Sequence, residues 1–129
     1  MRSFKTKWFV RFARKHRIPD HVLKEAVDRA ERGSIDADLG GGVIKQRIAR
    51  SQEGKSGGFR SIVLFRAQGS AFFVYAFPKN VRDNIGSTEL AGFKVLADEM
   101  LGYDDAKLAK AVLSGTLTEV VRNGQETHE

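Results

Sequence analysis

The chain is 129 residues long, the size of one ordinary domain. Apolar residues make up 41% of it, enough for one core, and 22 Lys+Arg against 16 Asp+Glu leave a net charge of +6, a balance that suits an anionic partner such as nucleic acid, an acidic protein or a membrane surface. Cysteine is absent, which excludes a disulfide scaffold, a zinc finger, an iron–sulfur site and a thiol nucleophile; no apolar run approaches the ~20 residues of a membrane span, and Trp8-Phe9-Val10 is too short for a signal-peptide core of about 7–15 residues, so a soluble cytoplasmic protein is expected.

Phe4, Trp8 and Phe12 recur every four residues, with Phe9 and Ala13 beside them and Lys5, Lys7, Arg11, Arg14 and Lys15 opposite. That spacing predicts an amphipathic helix from residue 3. Pro19 breaks it, and Asp20 is placed to cap a second helix that buries Val22, Leu23, Ala26, Val27 and Ala30 and stops at Gly33. A helix pair over 3–33 follows. Gly40-Gly41-Gly42 then reads as a tight turn into a strand over 43–49, with Ile44 and Ile48 on one face and Lys45 and Arg47 on the other. A Gly/Ser/Lys loop over 51–58 precedes a strand over 59–65. A third strand over 71–77 is nearly all apolar, as expected of a strand buried on both faces. Short loops make these three an antiparallel meander.

After an irregular stretch, Ser87 or Thr88 caps a helix with Leu90, Phe93, Ala97 and Met100 or Leu101 inward, ended by Gly102. Asp104 or Asp105 opens a shorter helix, through residue 114, with Leu108, Ala109, Val112 and Leu113 inward. Residues 115–122 fit a strand or a helical turn, and 123–129 form a polar tail. The class is α+β: one domain over 1–122, a small antiparallel sheet (43–77) with helices packed on it.

Charge is segregated along the chain. Residues 1–17 carry seven basic side chains and no acid; 18–44 carry three basic and six acidic; 45–82 carry eight basic and Glu53 alone as an acid; 83–129 carry four basic and nine acidic. His16, His21 and His128 have no metal-ligand spacing, so neither a metal nor a cofactor is expected. Ser56 and Ser61 lack His–Asp partners for a nucleophilic triad. The glycine triplet lacks the spacing and hydroxyl of a phosphate-binding Walker loop. What remains is a set of cations: Lys45, Arg47, Arg50, Lys55, Arg60, Lys79 and Arg82. With adjacent strands they converge on one end or face of the sheet. Such a cluster suits an internucleotide phosphate, because Arg offers forked donors and Lys a point charge. A lysine crowded by cations releases its proton more readily and suits a general base, while an arginine stabilises the charge of the transition state. Metal-free RNA cleavage by the 2′-OH is one reading; simple phosphate binding or solvation of the sheet is the other. Phe59, Phe65, Phe72, Phe73 and Phe77 are expected mostly in the core rather than as stacking platforms.

Gly42-Val-Ile-Lys-Gln-Arg47, Gly54-Lys-Ser-Gly-Gly-Phe-Arg60 and Phe72-Phe-Val-Tyr-Ala-Phe-Pro-Lys79-Asn80 with Arg82-Asp-Asn84 together resemble the RelE/HigB-like toxins of bacterial type II toxin–antitoxin systems, of the RelE/ParE superfamily. The likeness is best over residues 38–101. It implies a microbial RNase architecture with helices on one side of an antiparallel sheet. It also implies a ribosome-dependent, metal-independent mRNA endonuclease that inhibits translation, and a cognate antitoxin, often a helix-turn-helix protein. By position, Lys45, Arg47, Arg60, Lys79 and Arg82 fall on the family's catalytic cations. Arg60 would stabilise phosphate or transition state, Lys45 would be the base or its electrostatic aid, and Arg82 or Lys79 the clamp or proton donor. Arg50, Lys55 and Tyr75 are assigned to RNA binding, Tyr75 being alternatively a buried hydroxyl with a partner. The chain departs from some relatives in having Asn80 for Arg and no matching C-terminal Tyr or His. Alternatives of the same fold are a non-catalytic RNA-binding or protein-interaction module and a gyrase-poisoning toxin.

Overall fold

A computed structural model describes residues 1–49 and 58–121. It contains strand β1 (Arg2–Thr6), helices α1 (Lys7–Lys15) and α2 (Asp20–Glu31), strands β2 (Ala37–Gly40), β3 (Val43–Ile48), β4 (Phe59–Phe65) and β5 (Ser70–Pro78), helices α3 (Ser87–Met100) and α4 (Asp105–Ser114), and strand β6 (Leu117–Glu119). The six strands form one sheet in the order β2-β3-β4-β5-β1-β6. β3, β4 and β5 are the expected antiparallel meander, and β5, apolar on both faces, lies in the interior of the sheet. The class is α+β.

The N-terminus differs from the expected helix. Arg2–Thr6 is a strand, inserted parallel to β5 and antiparallel to β6. The four-residue spacing of Phe4, Trp8 and Phe12 runs across a strand–helix junction. Phe4 stacks on Phe72, ring centroids 5.4 Å apart, on the α3 side of the sheet, whereas Phe9 packs on Phe73 on the α2 side. Thr6 marks the boundary, its hydroxyl accepting from the Phe9 N–H as an N-cap. Lys5, expected on a solvated helix face, is half-buried and donates to Asp20 at 2.7 Å. Asp20 does not cap α2: it lies inside the first turn, receives Lys5, and accepts the Val121 N–H.

The glycine triplet is a hairpin turn, with Gly40, Gly41 and Gly42 at φ of +87°, +62° and +85°. Its first arm, β2, was not expected; it is a short edge strand with only partial alternation. A Cβ at Gly42 would sit 2.8 Å from Leu101 Cδ1, so the turn also lets α3 approach. Residues 117–119 resolve the open choice as a strand, β6. Gly86 rather than Ser87 or Thr88 occupies the cap of α3, with Glu89 accepting its N–H at 2.8 Å. In α4 only Leu108 is buried; Ala109, Val112 and Leu113 are exposed, Leu113 at 90%. α4 lies at the sheet margin and presses a single stripe inward, so it has no use for a wide apolar face.

Helices cover both faces, not one. Phe9, Ala13, Leu23, Ala26, Val27 and Ala30 of α1 and α2 pack on Ile44, Ile48, Val63, Phe73 and Ala76. Ala97, Met100 and Leu108 of α3 and α4 pack on Val43, Ile62, Leu64, Phe72 and Phe77. Phe59, Phe65, Phe72, Phe73 and Phe77 are all core. The register of β4 on β5 slips once: Ile62 pairs with Tyr75 but Val63 with Phe73, so Val74 is an extra residue. The bulge carries Tyr75 to the α3 face, where strict alternation from Phe73 would have put it on the other.

Candidate nucleic-acid cleavage site

On the α3 face two cross-strand rows run side by side. One is Lys45, Ile62 and Tyr75; the next, toward the sheet end, is Arg47, Arg60 and Phe77. Paired residues share a face, with Cβ atoms about 4.5–5.5 Å apart. The C-terminal half of α3 covers the Val43 and Leu64 end of this face. Arg47 is left exposed and Arg60 half-exposed.

Arg82 joins them from the loop after β5. Its guanidinium carbon lies 5.4 Å from the centre of the Phe77 ring, and it is held by Glu89, with Nη2 to Oε1 at 2.6 Å and Nε donating to the Asn84 carbonyl at 2.8 Å. The guanidinium in turn holds the Glu89 carboxyl below its ordinary value, aided by the Gly86 N–H. Glu89 and, to a lesser degree, Tyr75 hold the Arg82 proton more tightly than usual. Lys45 Nζ donates to the Asp83 carbonyl at 3.2 Å, fixing the same loop from below. Lys79 is exposed at the sheet end, its backbone N–H on the Gly58 carbonyl at 3.4 Å.

Lys45, Arg47, Arg60, Tyr75 and Arg82 thus come together on one face, and Lys79 stands at the same end. Arg50 and Lys55 lie outside the described residues. Tyr75 is half-buried, at 4.7 Å between ring centroids from Trp8 and 6.0 Å from Phe93; aromatic neighbours and the Arg82 guanidinium, rather than a sealed pocket, surround it.

Arg47 and Arg60 form the centre of the site. Their Cα atoms are register partners, and among the described residues neither guanidinium has a hydrogen-bond or ion-pair partner. Like charges set opposite each other on a sheet cost about 0.2–1 kcal/mol. The backbone is nevertheless fixed there. Asp36 Oδ2 accepts the Arg47 N–H at 2.6 Å, and Arg29 Nη2 donates to the Arg47 carbonyl at 2.5 Å. Asp36 and Arg29 were not singled out in the sequence, and neither were Glu89 and Asp83. Glu89 three residues after Gly86 is a capping signal legible in hindsight; the others act through tertiary contacts that no spacing displays. Among the described residues no group of three or more His, Cys, Asp or Glu is placed to hold a metal ion.

A sheet end with paired arginines, unpartnered among the described residues and flanked by an oriented third arginine and two lysines, presents the kind of donors that an anion such as a phosphate would take. The chain belongs to the RelE toxin family: the family model described as "RelE toxin of RelE / RelB toxin-antitoxin system" matches residues 1–120. It is therefore a toxin-family protein whose partner is an antitoxin. No curated protein matches the chain significantly. No helix among the described residues is long and apolar enough to cross a membrane.

Proposed function

We propose that this protein is the toxin of a type II pair and cuts translated mRNA as a ribosome-dependent, metal-independent endoribonuclease in the cytoplasm, restrained by an antitoxin of the helix-turn-helix kind. The observation that carries the reading is the Arg47–Arg60 pair: two arginines at directly paired strand positions, their guanidiniums unpartnered among the described residues. A phosphodiester set between them relieves their repulsion and receives forked donors from both sides. Family membership supports nuclease activity, since toxins of this family are generally endoribonucleases.

In the reaction, the ribose 2′-oxygen forms a bond to the adjacent phosphorus as the bond to the 5′-oxygen of the next nucleotide breaks. The products are a 2′,3′-cyclic phosphate and a 5′-hydroxyl. One proton leaves the 2′-OH and one arrives at the 5′-oxygen. Arg60 and Arg47 stabilise the charge that accumulates on the non-bridging oxygens. Lys45, two residues before Arg47 on β3, takes the 2′-OH proton or supports its loss electrostatically. Arg82, in the loop that Lys45 also holds, or Lys79 at the sheet end clamps the strand or supplies the proton to the leaving oxygen. Tyr75, Arg50 and Lys55 contact the flanking RNA.

The test is incubation of the purified protein with programmed ribosomes and mRNA, with 5′ ends mapped by primer extension. Discrete ribosome-dependent cuts are expected, reduced about 10²–10³-fold in Arg60→Ala, the loss typical of one removed transition-state donor. Intact mRNA alongside measurable ribosome or RNA binding would reject the nuclease reading in favour of a binding module.

A further inference from the structure

β1 stops at Thr6 while its neighbour β5 runs on to Pro78. The chain that follows β1 therefore comes alongside the second half of β5, on the side away from β4. This places Trp8 against Tyr75, with ring centroids 4.7 Å apart. Arg47, Arg60, Tyr75 and Trp8 thus follow one another across the sheet, from β3 to the start of α1. Trp8 is 36% exposed, whereas tryptophan is highly buried on average.

The indole also walls a cleft of about 600 Å³, together with Leu96, Met100 and Tyr103. That volume falls within the range of about 300–1,000 Å³ found for small-molecule sites. Three exposed lysines, Lys7, Lys107 and Lys110, line it as well. Among the described residues none of their ammonium groups has a hydrogen-bond or ion-pair partner; Lys107 Nζ lies 5.5 Å from the centre of the Tyr103 ring. The hydroxyls of the cleft, in contrast, are engaged. Tyr103 donates to Glu99 at 3.2 Å, Ser114 and Thr116 pair at 3.0 Å, and Thr6 donates to the Phe73 carbonyl at 3.3 Å. Apolar walls with unpartnered ammonium groups suit a ligand that has a flat apolar body and an anionic end, as a nucleotide has. With the hydroxyls taken, ring area rather than the pattern of donors on the base edge decides the fit, and area favours a purine over a pyrimidine.

We propose that this cleft is a base subsite adjoining the cleavage site, that it takes a purine nucleotide of the bound strand, and that Trp8 sets the preference for a purine. The strand it belongs to is named on the nuclease reading above; purine binding in the cleft does not depend on that reading. Continuity favours a nucleotide as the occupant. Trp8 touches Tyr75, and Tyr75 stands one strand from Arg60, so a strand with its phosphate at the arginine pair reaches the cleft with a neighbouring nucleotide. The lysines then meet the phosphate of that nucleotide, and the indole and the Tyr103 ring meet its base.

Trp8 is the only tryptophan of the chain, so its emission reports on the cleft directly. The experiment titrates the full-length protein with adenosine, guanosine and uridine 5′-monophosphates and with ribose 5-phosphate. A saturable change in emission is expected with both purine nucleotides at similar concentrations. Uridine monophosphate should bind about 5–10-fold more weakly, as a smaller stacking area implies, and ribose 5-phosphate should leave the emission unchanged. The double variant Lys107→Glu/Lys110→Glu, at exposed positions of α4, should weaken adenosine monophosphate about 10-fold. Arg60→Ala, outside the cleft, should keep the response. Should the double variant misfold by circular dichroism, photolabelling of the wild type with 8-azidoadenosine monophosphate serves instead, with adducts expected on peptides from the start of α1, the end of α3 and α4. No saturable change with adenosine monophosphate, an equal response to uridine monophosphate, loss of the response in Arg60→Ala, an unchanged response in the folded double variant, or adducts confined to β3 and β4 would each overturn the proposal. Failure of the nuclease reading is told apart by the ribosome assay: intact mRNA beside a purine-selective response rejects cleavage and supports the cleft, and cut mRNA beside an absent response does the reverse.

Discussion

Arg47 and Arg60 face each other across β3 and β4 with no carboxylate between them among the described residues, an arrangement that costs stability unless an anion is bound. Arg60→Ala is therefore expected to leave the fold intact or raise its stability by up to about 1 kcal/mol at low salt. Inorganic phosphate should raise the melting temperature of the wild type by mass action and do so less in the mutant; thermal melts with and without phosphate check both. Arg82 behaves differently because Glu89 holds it. The Glu89 carboxyl titrates below its ordinary value of 4.5, so the contribution of the pair is present above that pH and is lost as pH falls through the lowered value. The Arg82 Nε–H resonance is expected to stay unchanged down to about pH 4.5 and to shift below it. In Glu89→Gln it should already be shifted at pH 7, with cleavage reduced and stability little altered.

At the level of elements, α2, β3, β4, α3 and α4 were legible because each keeps one period and is bounded by a marked residue such as Gly33, the glycine triplet, Gly58 or Gly102, and β5 because it is apolar almost throughout. β1 was not. Five residues are too few to show alternation, and Phe4 fell by coincidence into helical phase with Trp8 and Phe12. β2 was hidden for the same reason of length. The cationic cluster could be read from β3 and β4 because strand pairing turns sequence spacing into shared faces. Tyr75 reached that face only through the bulge at Val74, which no residue type announces. Gln46 was also passed over as an ordinary polar position of β3. It is 1% exposed, donates to the carbonyls of Ala26 and Ser34 at 3.0 and 3.3 Å, and accepts the Asp36 N–H at 2.7 Å. It thus ties α2 and the start of β2 to the strand that bears Lys45 and Arg47. Gln46→Leu strands those buried groups, and urea unfolding is expected to show a loss of about 3 kcal/mol.

Taken whole, the molecule is a sheet with a core on each face. Among the described residues, the α3 face leaves its Arg47–Arg60 end uncovered by helix. The α1 face is closed by its core-facing side and charged on its outer side. The Lys5–Asp20 pair and the Asp20–Val121 hydrogen bond join β1, α2 and the segment after β6, so the N-terminal elements and the last strand are pinned into one body with the sheet that carries the site. Such rigidity suits a reaction in which positioned cations supply the rate enhancement without a metal. The most direct measurement of that reaction is single-turnover cleavage, on the ribosome, of an mRNA with one 2′-deoxynucleotide at the mapped cut site. Loss of cleavage at that site, with binding retained and a 5′-hydroxyl at the cut of the all-ribose mRNA, is the result expected of attack by the neighbouring 2′-oxygen. Undiminished cleavage of the deoxy-substituted message would contradict it, since a different nucleophile would then have to act.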